Sequence, residues 1–144
     1  MKTIISKKLQ KNTPKTAFFS NIEKDTLENT NYRKVLFTTK NSQLVLMSLK
    51  PGEEIGTETH DLDQFFRFEA GQGEVIIEGT PHKVTDGDSA TISSGTKHNI
   101  INISETEDLK LYSIYSPPNH KQGTIHKTKA DDKEEHFDNK TDVS

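Results

Sequence analysis

Apolar and β-branched residues fill the centre of this chain in short stretches, and turn-forming residues separate the stretches at intervals of about eight to twelve positions. Gln43–Leu49 is almost continuously apolar, as expected of a strand buried on both faces. The pattern predicts eight short strands, at residues 32–39, 43–49, 55–60, 64–70, 74–78, 89–92, 98–103 and 108–115. No stretch has the period of a long helix, so the sequence predicts an all-β sandwich or barrel.

The two ends of the chain are more polar than this centre. Residues 1–30 are rich in Lys, Asn and Thr, with one apolar cluster at residues 17–19, and are predicted to form an edge segment. Residues 31–117 are predicted to form the barrel. Residues 118–144 are predicted to be a charged tail, for which a short helix at 127–137 and disorder are both open.

Composition narrows the class of protein. The 144 residues fit one domain with a modest core, and the net charge of −3, with both signs mixed, argues against nucleic-acid and membrane partners. The absence of cysteine excludes disulfides, thiolate metal sites and a cysteine nucleophile. No apolar run approaches the length of a membrane span. The first residues resemble a secretion signal, but their apolar run ends at Lys7 and Lys8. We therefore expect a cytoplasmic protein.

Four side chains of the central region can each offer a lone pair to one metal ion: Glu58, His60, Gln64 and His98. Glu58 and His60 stand two positions apart, so an extended strand turns both to the same side. A turn-forming run at residues 61–63 lets the chain double back to Gln64. We expect the four to meet inside a small barrel and bind one ion; the alternative is a pair of ordinary polar strand histidines.

Other chemistries have no support in the sequence. There is no GxSxG for a nucleophilic serine, no Walker-type loop for phosphate, and no GxGxxG that opens a helix. The remaining histidines lack a ligand-like spacing and are predicted to be surface residues: His82, His120, His126 and His136.

The intervals around the candidate ligands are specific. Gly52 is followed after five residues by Glu58, with His60 two positions further on. Gln64 comes after three more residues, and Gly71 after another six.

A second set of intervals follows downstream. Gly87 precedes Ser93-Ser94-Gly95 by five residues, His98 comes after two more, and Asn102 after another three. In both stretches the chain resembles the cupins, whose two motifs carry glycines, metal ligands and an asparagine at these intervals. The resemblance covers about fifty residues and implies a double-stranded β-helix, the cupin jelly roll, of the small single-domain type related to RmlC and phosphomannose isomerase.

Three residues depart from the cupin pattern: Glu58 replaces the first histidine, Gln64 the glutamate, and Ser93 a proline. Glu58 restores the negative charge that Gln64 lacks, so the ligand set keeps its net charge. The resemblance then implies a divalent ion, with Zn, Mn, Fe and Ni all open. Type I phosphomannose isomerases, also cupins, combine Gln, Glu and two His on zinc in a different order. A cupin that has lost its metal is the alternative.

Three functions follow from the resemblance. The first is a metal-dependent isomerase or lyase acting on a small polar molecule by Lewis-acid chemistry, with Glu58 as a candidate catalytic residue that moves the proton. The second is a cupin dioxygenase with non-haem iron, and the third a non-catalytic module that binds a sugar or a metal. Many cupins are dimers, which implies a homodimer here.

Further residues are candidates for the pocket wall. Phe66 and Phe68 share the parity of Gln64 and are predicted to line the substrate pocket or to pack in the core. In cupins the last strand borders the cavity, so the resemblance implies that Tyr112 borders the pocket. Arg67 has the opposite parity to Gln64 and is predicted to face solvent or a dimer partner.

Overall fold

The computed structural model describes residues 16–132, and their regular structure is almost entirely β-strand. The one α-helix of this part, α1, spans Ile22–Glu28, and a 3-10 helix spans Lys129–Asp131. Between and beside them lie the strands β1 (Arg33–Thr38), β2 (Gln43–Leu49), β3 (Asp63–Ala70), β4 (Gly73–Ile77), β5 (Thr80–Val84), β6 (Ser89–Ile92), β7 (His98–Asn102), β8 (Leu109–Ser116) and β9 (Ile125–His126).

The strands form two antiparallel sheets that enclose one core. The larger sheet has the order β6-β3-β8-β2-β1-β9 and the smaller the order β5-β4-β7. Fully buried aliphatic and aromatic side chains fill the space between them, Met47, Phe68 and Leu111 among them. The prediction of an all-β jelly roll is confirmed.

Strand register decides which side chains reach the interior. Gln64 of β3 lies opposite Tyr115 of β8, and Phe66 lies opposite Ser113. All of these side chains are buried, while the residues between them are only partly covered. Since directly opposed residues share one face of a sheet, these pairs form the inner face of the larger sheet.

Two strand predictions are wrong. Residues 55–60 form no strand. The backbone of this region pairs with β7 only at isolated bridges, Glu54 to Ile101 and Glu58 to His98, and the N–H of Gly56 donates to Asn99 Oδ1 at 2.9 Å. Thr80–Val84, which was not among the predicted strands, forms β5. β5 lies at the edge of the smaller sheet, where a proline is tolerated because one side of the strand has no neighbouring strand to bond.

The regions flanking the predicted barrel are ordered where the structure describes them. The side chain of Asn21 accepts a hydrogen bond from the backbone of Lys24 (3.1 Å), which caps α1, and the helix packs on the larger sheet. Beyond the predicted end of the barrel, β9 pairs with β1 and so extends the larger sheet. Residues 1–15 and 133–144, with most of the proposed tail helix, lie outside the described residues.

Candidate metal centre

The segment before β3 is held beside β7 by backbone hydrogen bonds. Glu58 and His98 each donate a backbone N–H to the other's carbonyl, at 2.8 and 2.9 Å. The backbone of His60 is fixed in turn, because its carbonyl accepts from the N–H of Gly95 at 2.8 Å. The two cupin-like stretches therefore meet through their main chains, before any side-chain contact is considered.

The side chains of Glu58, His60 and His98 converge. Their potential ligand atoms all lie within 4.8 Å of one another. The two imidazole rings have centroids 5.5 Å apart, and His60 Nε2 lies 3.4 Å from Glu58 Oε2. That last separation is too long for a charge-assisted hydrogen bond, and His60 Nε2 is buried with no hydrogen-bond partner in the described structure.

The tautomer of His98 is set by its surroundings. Its Nδ1 lies 2.9 Å from the carbonyl oxygen of Thr96, which can only accept, so Nδ1 carries the proton. The lone pair of Nε2 is therefore left for another partner, and within residues 16–132 this buried nitrogen has none. A backbone carbonyl that orients an imidazole in this way is typical of a metal-binding histidine.

Gln64 presents an amide oxygen to the same interior. The side chain is 4% exposed, and its Nε2 donates to Ser113 Oγ at 3.2 Å. With the amide nitrogen so engaged, Oε1 is buried and has no hydrogen-bond partner within the described range. The structure thus brings three of the predicted ligands together in one group: Glu58, His60 and His98. The fourth, Gln64, lies in β3, and its amide oxygen is the acceptor that no described residue engages.

This donor set fits a divalent cation. Among residues 16–132, two imidazole nitrogens and one amide oxygen are buried without hydrogen-bond partners, an arrangement that disfavours folding unless something accepts their lone pairs. Imidazole nitrogen, carboxylate oxygen and amide oxygen are ligands that divalent first-row ions accept. The group can hold an ion, and the residues present do not specify which.

Tyr115 completes the inner face beside the ligands. Its ring lies edge-on to His60, with centroids 6.2 Å apart, and the side chain is 3% exposed. Burial raises the pKa of the Tyr115 phenol to about 12; the Glu58 carboxylate also raises it, and Arg33 lowers it. Tyr115 is therefore a neutral hydrogen-bond donor at neutral pH.

The predicted pocket residues have different outcomes. Phe66 lies beside the ligands, with its ring centroid 6.4 Å from that of His98. The ring centroid of Phe68 lies 6.5 Å from that of Phe66, and Phe68 belongs to the fully buried core. The prediction for Tyr112 is wrong, because Tyr112 pairs with Arg67 and so lies on the outer face of the larger sheet, where it contacts Phe65. Arg67 has the predicted outward parity, and its side chain is 41% exposed.

Two histidines predicted at the surface are buried. His120 and His126 are 9% and 8% exposed, whereas His82 is exposed as predicted. The His120 ring packs edge-on against Tyr115, with centroids 5.0 Å apart. His126 pairs with Arg33 across β9 and β1. His136 lies outside the described residues.

The sequence analysis also missed Tyr115, Ser113 and Arg33. The alternation in β8 was visible, but both of its faces carry aromatic and aliphatic residues, so parity alone did not reveal the inner one. The available signal was the cross-strand pair: once Gln64 faces inward, Tyr115 opposite it must do the same. Arg33 gave no signal, because a charged residue in a strand usually faces solvent.

The remaining motif residues shape the backbone. A Cβ on Gly71, whose φ is +104°, would lie 2.6 Å from the carbonyl oxygen of Asp108. Asn102 is fully buried, donates to the carbonyls of Leu49 and Glu107 at 3.0 and 2.8 Å, and accepts from the N–H of Ser104 at 2.9 Å. These two positions therefore serve the fold and not the chemistry.

Comparison with known proteins agrees with this arrangement. The family model for the cupin domain matches residues 45–115. The chain is 46% identical to the Bacillus subtilis protein YrkC over 121 residues, which make up 79% of this chain and 64% of YrkC, so the match spans less than two thirds of that relative. Across residues 16–132, no helix is long and apolar enough to cross a membrane.

Solved structures show the same fold. A Bacillus halodurans protein superposes with a TM-score of 0.76 at 43% identity, over 79% of this chain and 91% of the other. KdgF from Halomonas superposes with a TM-score of 0.58 at 25% identity, over 70% and 93% of the two chains. The region matched by the family model runs from β2 to β8 and contains every candidate ligand. The chain belongs to the cupin family.

Proposed function

We propose that the protein is a metal-dependent enzyme that isomerises a small polar molecule or cleaves it by a lyase reaction. The observation that carries the proposal is the convergence of Glu58, His60 and His98, whose ligand atoms lie within 4.8 Å of one another. When bound, a divalent ion supplies Lewis-acid polarisation of a carbonyl or hydroxyl oxygen. The remaining steps fall to side chains of this chain.

Orientation of the ligands comes from the protein itself. The Thr96 carbonyl keeps the Nδ1 proton on His98, which directs the Nε2 lone pair inward. Ser113 holds the amide nitrogen of Gln64, so that the amide oxygen is the atom left to bind. Both ligands are fixed before a substrate arrives, and this preorganisation lowers the cost of binding and of reaction.

Proton transfer needs a group beside the ligands, and Tyr115 has the right properties. Its phenol stays protonated at neutral pH because burial raises its pKa to about 12, and its ring contacts His60. It can therefore donate a hydrogen bond or a proton to an oxygen that gains negative charge. Glu58, the group predicted from sequence, belongs to the ligand cluster, so Tyr115 is the better candidate for this role.

A second candidate function is supported by the same donors. Two histidines and one carboxylate are the ligand type of non-haem iron oxygenases, which favours a cupin dioxygenase. A buried proton donor such as Tyr115 serves isomerisation or elimination more directly than oxygen insertion, and for this reason we place the dioxygenase second.

Metal analysis combined with oxygen measurement separates these functions. Protein purified without added metal is analysed for bound ions, and oxygen uptake is followed with enediol substrates. Zinc or manganese without oxygen uptake supports the isomerase or lyase, whereas iron or nickel with oxygen uptake supports the dioxygenase. Protein that binds no metal, and whose His98→Ala variant keeps its affinity for a small ligand, contradicts both. The exposed His82→Ala variant is the matched control. The homodimer and the cytoplasmic location stay predictions of the sequence.

A further inference from the structure

His120 lies beyond the last long strand of the barrel, and yet it is buried. It stands four positions after Ser116, where β8 ends, and it is only 9% exposed. Segments that connect strands usually run over the surface, so a residue in such a segment is buried only where specific contacts hold it against the barrel. The contacts of His120 therefore show what the residue does.

One buried amide holds the backbone of His120. Gln43 of β2 is 1% exposed, and its Nε2 donates to the carbonyl oxygen of His120 at 2.7 Å and to Thr38 Oγ1 at 3.0 Å. Its Oε1 accepts from the N–H of His120 at 2.9 Å and from the N–H of Asn119 at 3.2 Å. Breaking these bonds would leave buried polar groups unpaired, which is costly. The backbone of His120 is therefore fixed relative to β2.

Gln43 lies at the end of the barrel that carries the candidate ligand Gln64. Gln43 is opposite Tyr115 of β8, and Tyr115 is opposite Gln64 of β3. Directly opposed residues share one face of a sheet, and all three side chains are buried, so they form one row on the inner face. The amide that holds His120 is therefore part of the same row as Gln64 and Tyr115.

The His120 ring contacts Tyr115, which in turn contacts the candidate ligand His60. The rings of His120 and Tyr115 are edge-on, with centroids 5.0 Å apart and planes at 89°. Those of Tyr115 and His60 are also edge-on, at 6.2 Å and 83°. Both arrangements are favourable for aromatic pairs. Printed in the order His120, Tyr115, His60, these contacts form a continuous chain of packed rings, so loss of the first ring gives the second room to move.

We propose that His120 is a positioning residue of the site, whose ring holds the Tyr115 ring in place beside His60. This role rests on the proposed function, in which Tyr115 donates a proton or a hydrogen bond. His120 acts through Tyr115 and is not assigned as a ligand. A reacting group that is misplaced by about 1 Å can lose on the order of 100-fold in rate, so a ring that fixes the donor matters for the reaction.

The imidazole proton resonances of His60 in metal-free protein report the position of the Tyr115 ring, because an aromatic ring shifts the resonances of nearby protons. Tyr115→Leu removes the ring and defines the resonances without it. At the same pH, His120→Ala should move the His60 resonances towards those of Tyr115→Leu. His120→Phe restores a ring and should return them towards wild type. His82→Ala, which removes an exposed histidine of β5, is the control and should leave them in place.

Two results of this comparison overturn the proposal: His60 resonances that do not move in His120→Ala, and resonances that move equally in His120→Ala and His120→Phe. If His120→Ala does not fold, wild type and His120→Phe decide the question. Nuclear Overhauser cross-peaks between the rings at positions 120 and 115 are expected in both proteins, since the centroids are 5.0 Å apart in wild type. Absence of these cross-peaks from wild type, or displaced His60 resonances in His120→Phe, then contradicts the proposal.

Failure of the proposed function is distinguishable, because it appears as wild-type protein that binds no divalent ion, while the resonance measurements use metal-free protein. In protein that converts a substrate, His120→Ala should lower kcat and leave KM close to that of wild type, since only a transition-state contact is disturbed. An unchanged kcat would overturn the role of His120 in the reaction.

Discussion

Glu58 and His98 are joined by two reciprocal backbone hydrogen bonds, 2.8 and 2.9 Å long, in a bridge that belongs to no strand ladder. Directly opposed residues of an antiparallel bridge project their side chains to one face. The main chain therefore holds the carboxylate and the imidazole side by side, although the segment that carries Glu58 is not a strand. We conclude that the ligand cluster is preformed.

Removal of one imidazole should abolish tight metal binding. His98→Ala deletes a ligand whose Nε2 has no other partner in residues 16–132, so we expect metal affinity to fall by more than the about 10- to 100-fold typical of outer-shell changes. Competition with a chromogenic chelator measures the affinity. His82→Ala, which changes an exposed histidine on β5, should leave it unchanged, and equal affinities for the two variants would count against His98 as a ligand.

Gln64→Leu tests whether the amide oxygen is a ligand. The substitution removes a buried carbonyl that lacks a hydrogen-bond partner in the described structure, but it also removes the hydrogen bond from Nε2 to the buried Ser113 Oγ. The free energy of unfolding of metal-free protein should therefore fall by about 1–3 kcal/mol. Metal affinity should fall about tenfold if the oxygen completes the site. Urea unfolding and metal titration give the two values. Unchanged affinity would show that the Gln64 amide oxygen is not a ligand.

Alkaline pH should destabilise the fold through Tyr115. Burial raises the pKa of its phenol from 10.0 to about 12, so the folded state favours the neutral form. This contribution is complete below pH 10.0 and is lost as pH rises to about 12, at a cost of at most about 3 kcal/mol. Urea unfolding of metal-free protein across this range should show a smaller loss for Tyr115→Phe than for wild type. Tyr112→Phe, on the outer face, is the control and should behave as wild type; a Tyr115→Phe variant with the full loss would refute the assignment.

Gly71→Ala should destabilise the protein more than Gly52→Ala does. Both residues have positive φ, +104° and +76°, but only at Gly71 would the new Cβ meet backbone, 2.6 Å from the Asp108 oxygen. We expect about 1 kcal/mol for Gly52→Ala, and roughly 1–3 kcal/mol more for Gly71→Ala. Thermal unfolding checks the order. Equal costs would mean that the loop carrying Asp108 moves away freely.

Sequence alone gave the fold and the ligand cluster because both depend on local intervals. Glycine and histidine spacing carried the resemblance to cupins, which implied the jelly roll, and the same residues were predicted to converge as Glu58, His60 and His98 do. The positions of most strands and turns could be predicted from residue composition alone, without knowledge of tertiary contacts. Residues 55–60 have strand composition, yet their backbone pairs only through isolated bridges, which composition does not reveal.

The wall of the site could not be predicted in the same way, because it depends on register between distant strands. Tyr112 and Tyr115 stand on opposite faces of β8, and only pairing with β3 shows that Tyr115 shares the face of Gln64. The burial of Arg33 and His126 depends on β9, which crosses to β1 from beyond the predicted end of the barrel. Contacts between residues far apart in sequence thus determine which side chains line the site, and local patterns do not reveal them.

The most direct test of the central claim is the metal stoichiometry of wild type and of the triple variant Glu58→Ala/His60→Ala/His98→Ala, measured by native mass spectrometry after dialysis against a divalent ion. The ligand cluster predicts one tightly bound ion per wild-type chain and none in the variant. Circular dichroism of the variant checks that the barrel has folded. Wild type without a bound ion, or a folded variant that retains one, would contradict the account.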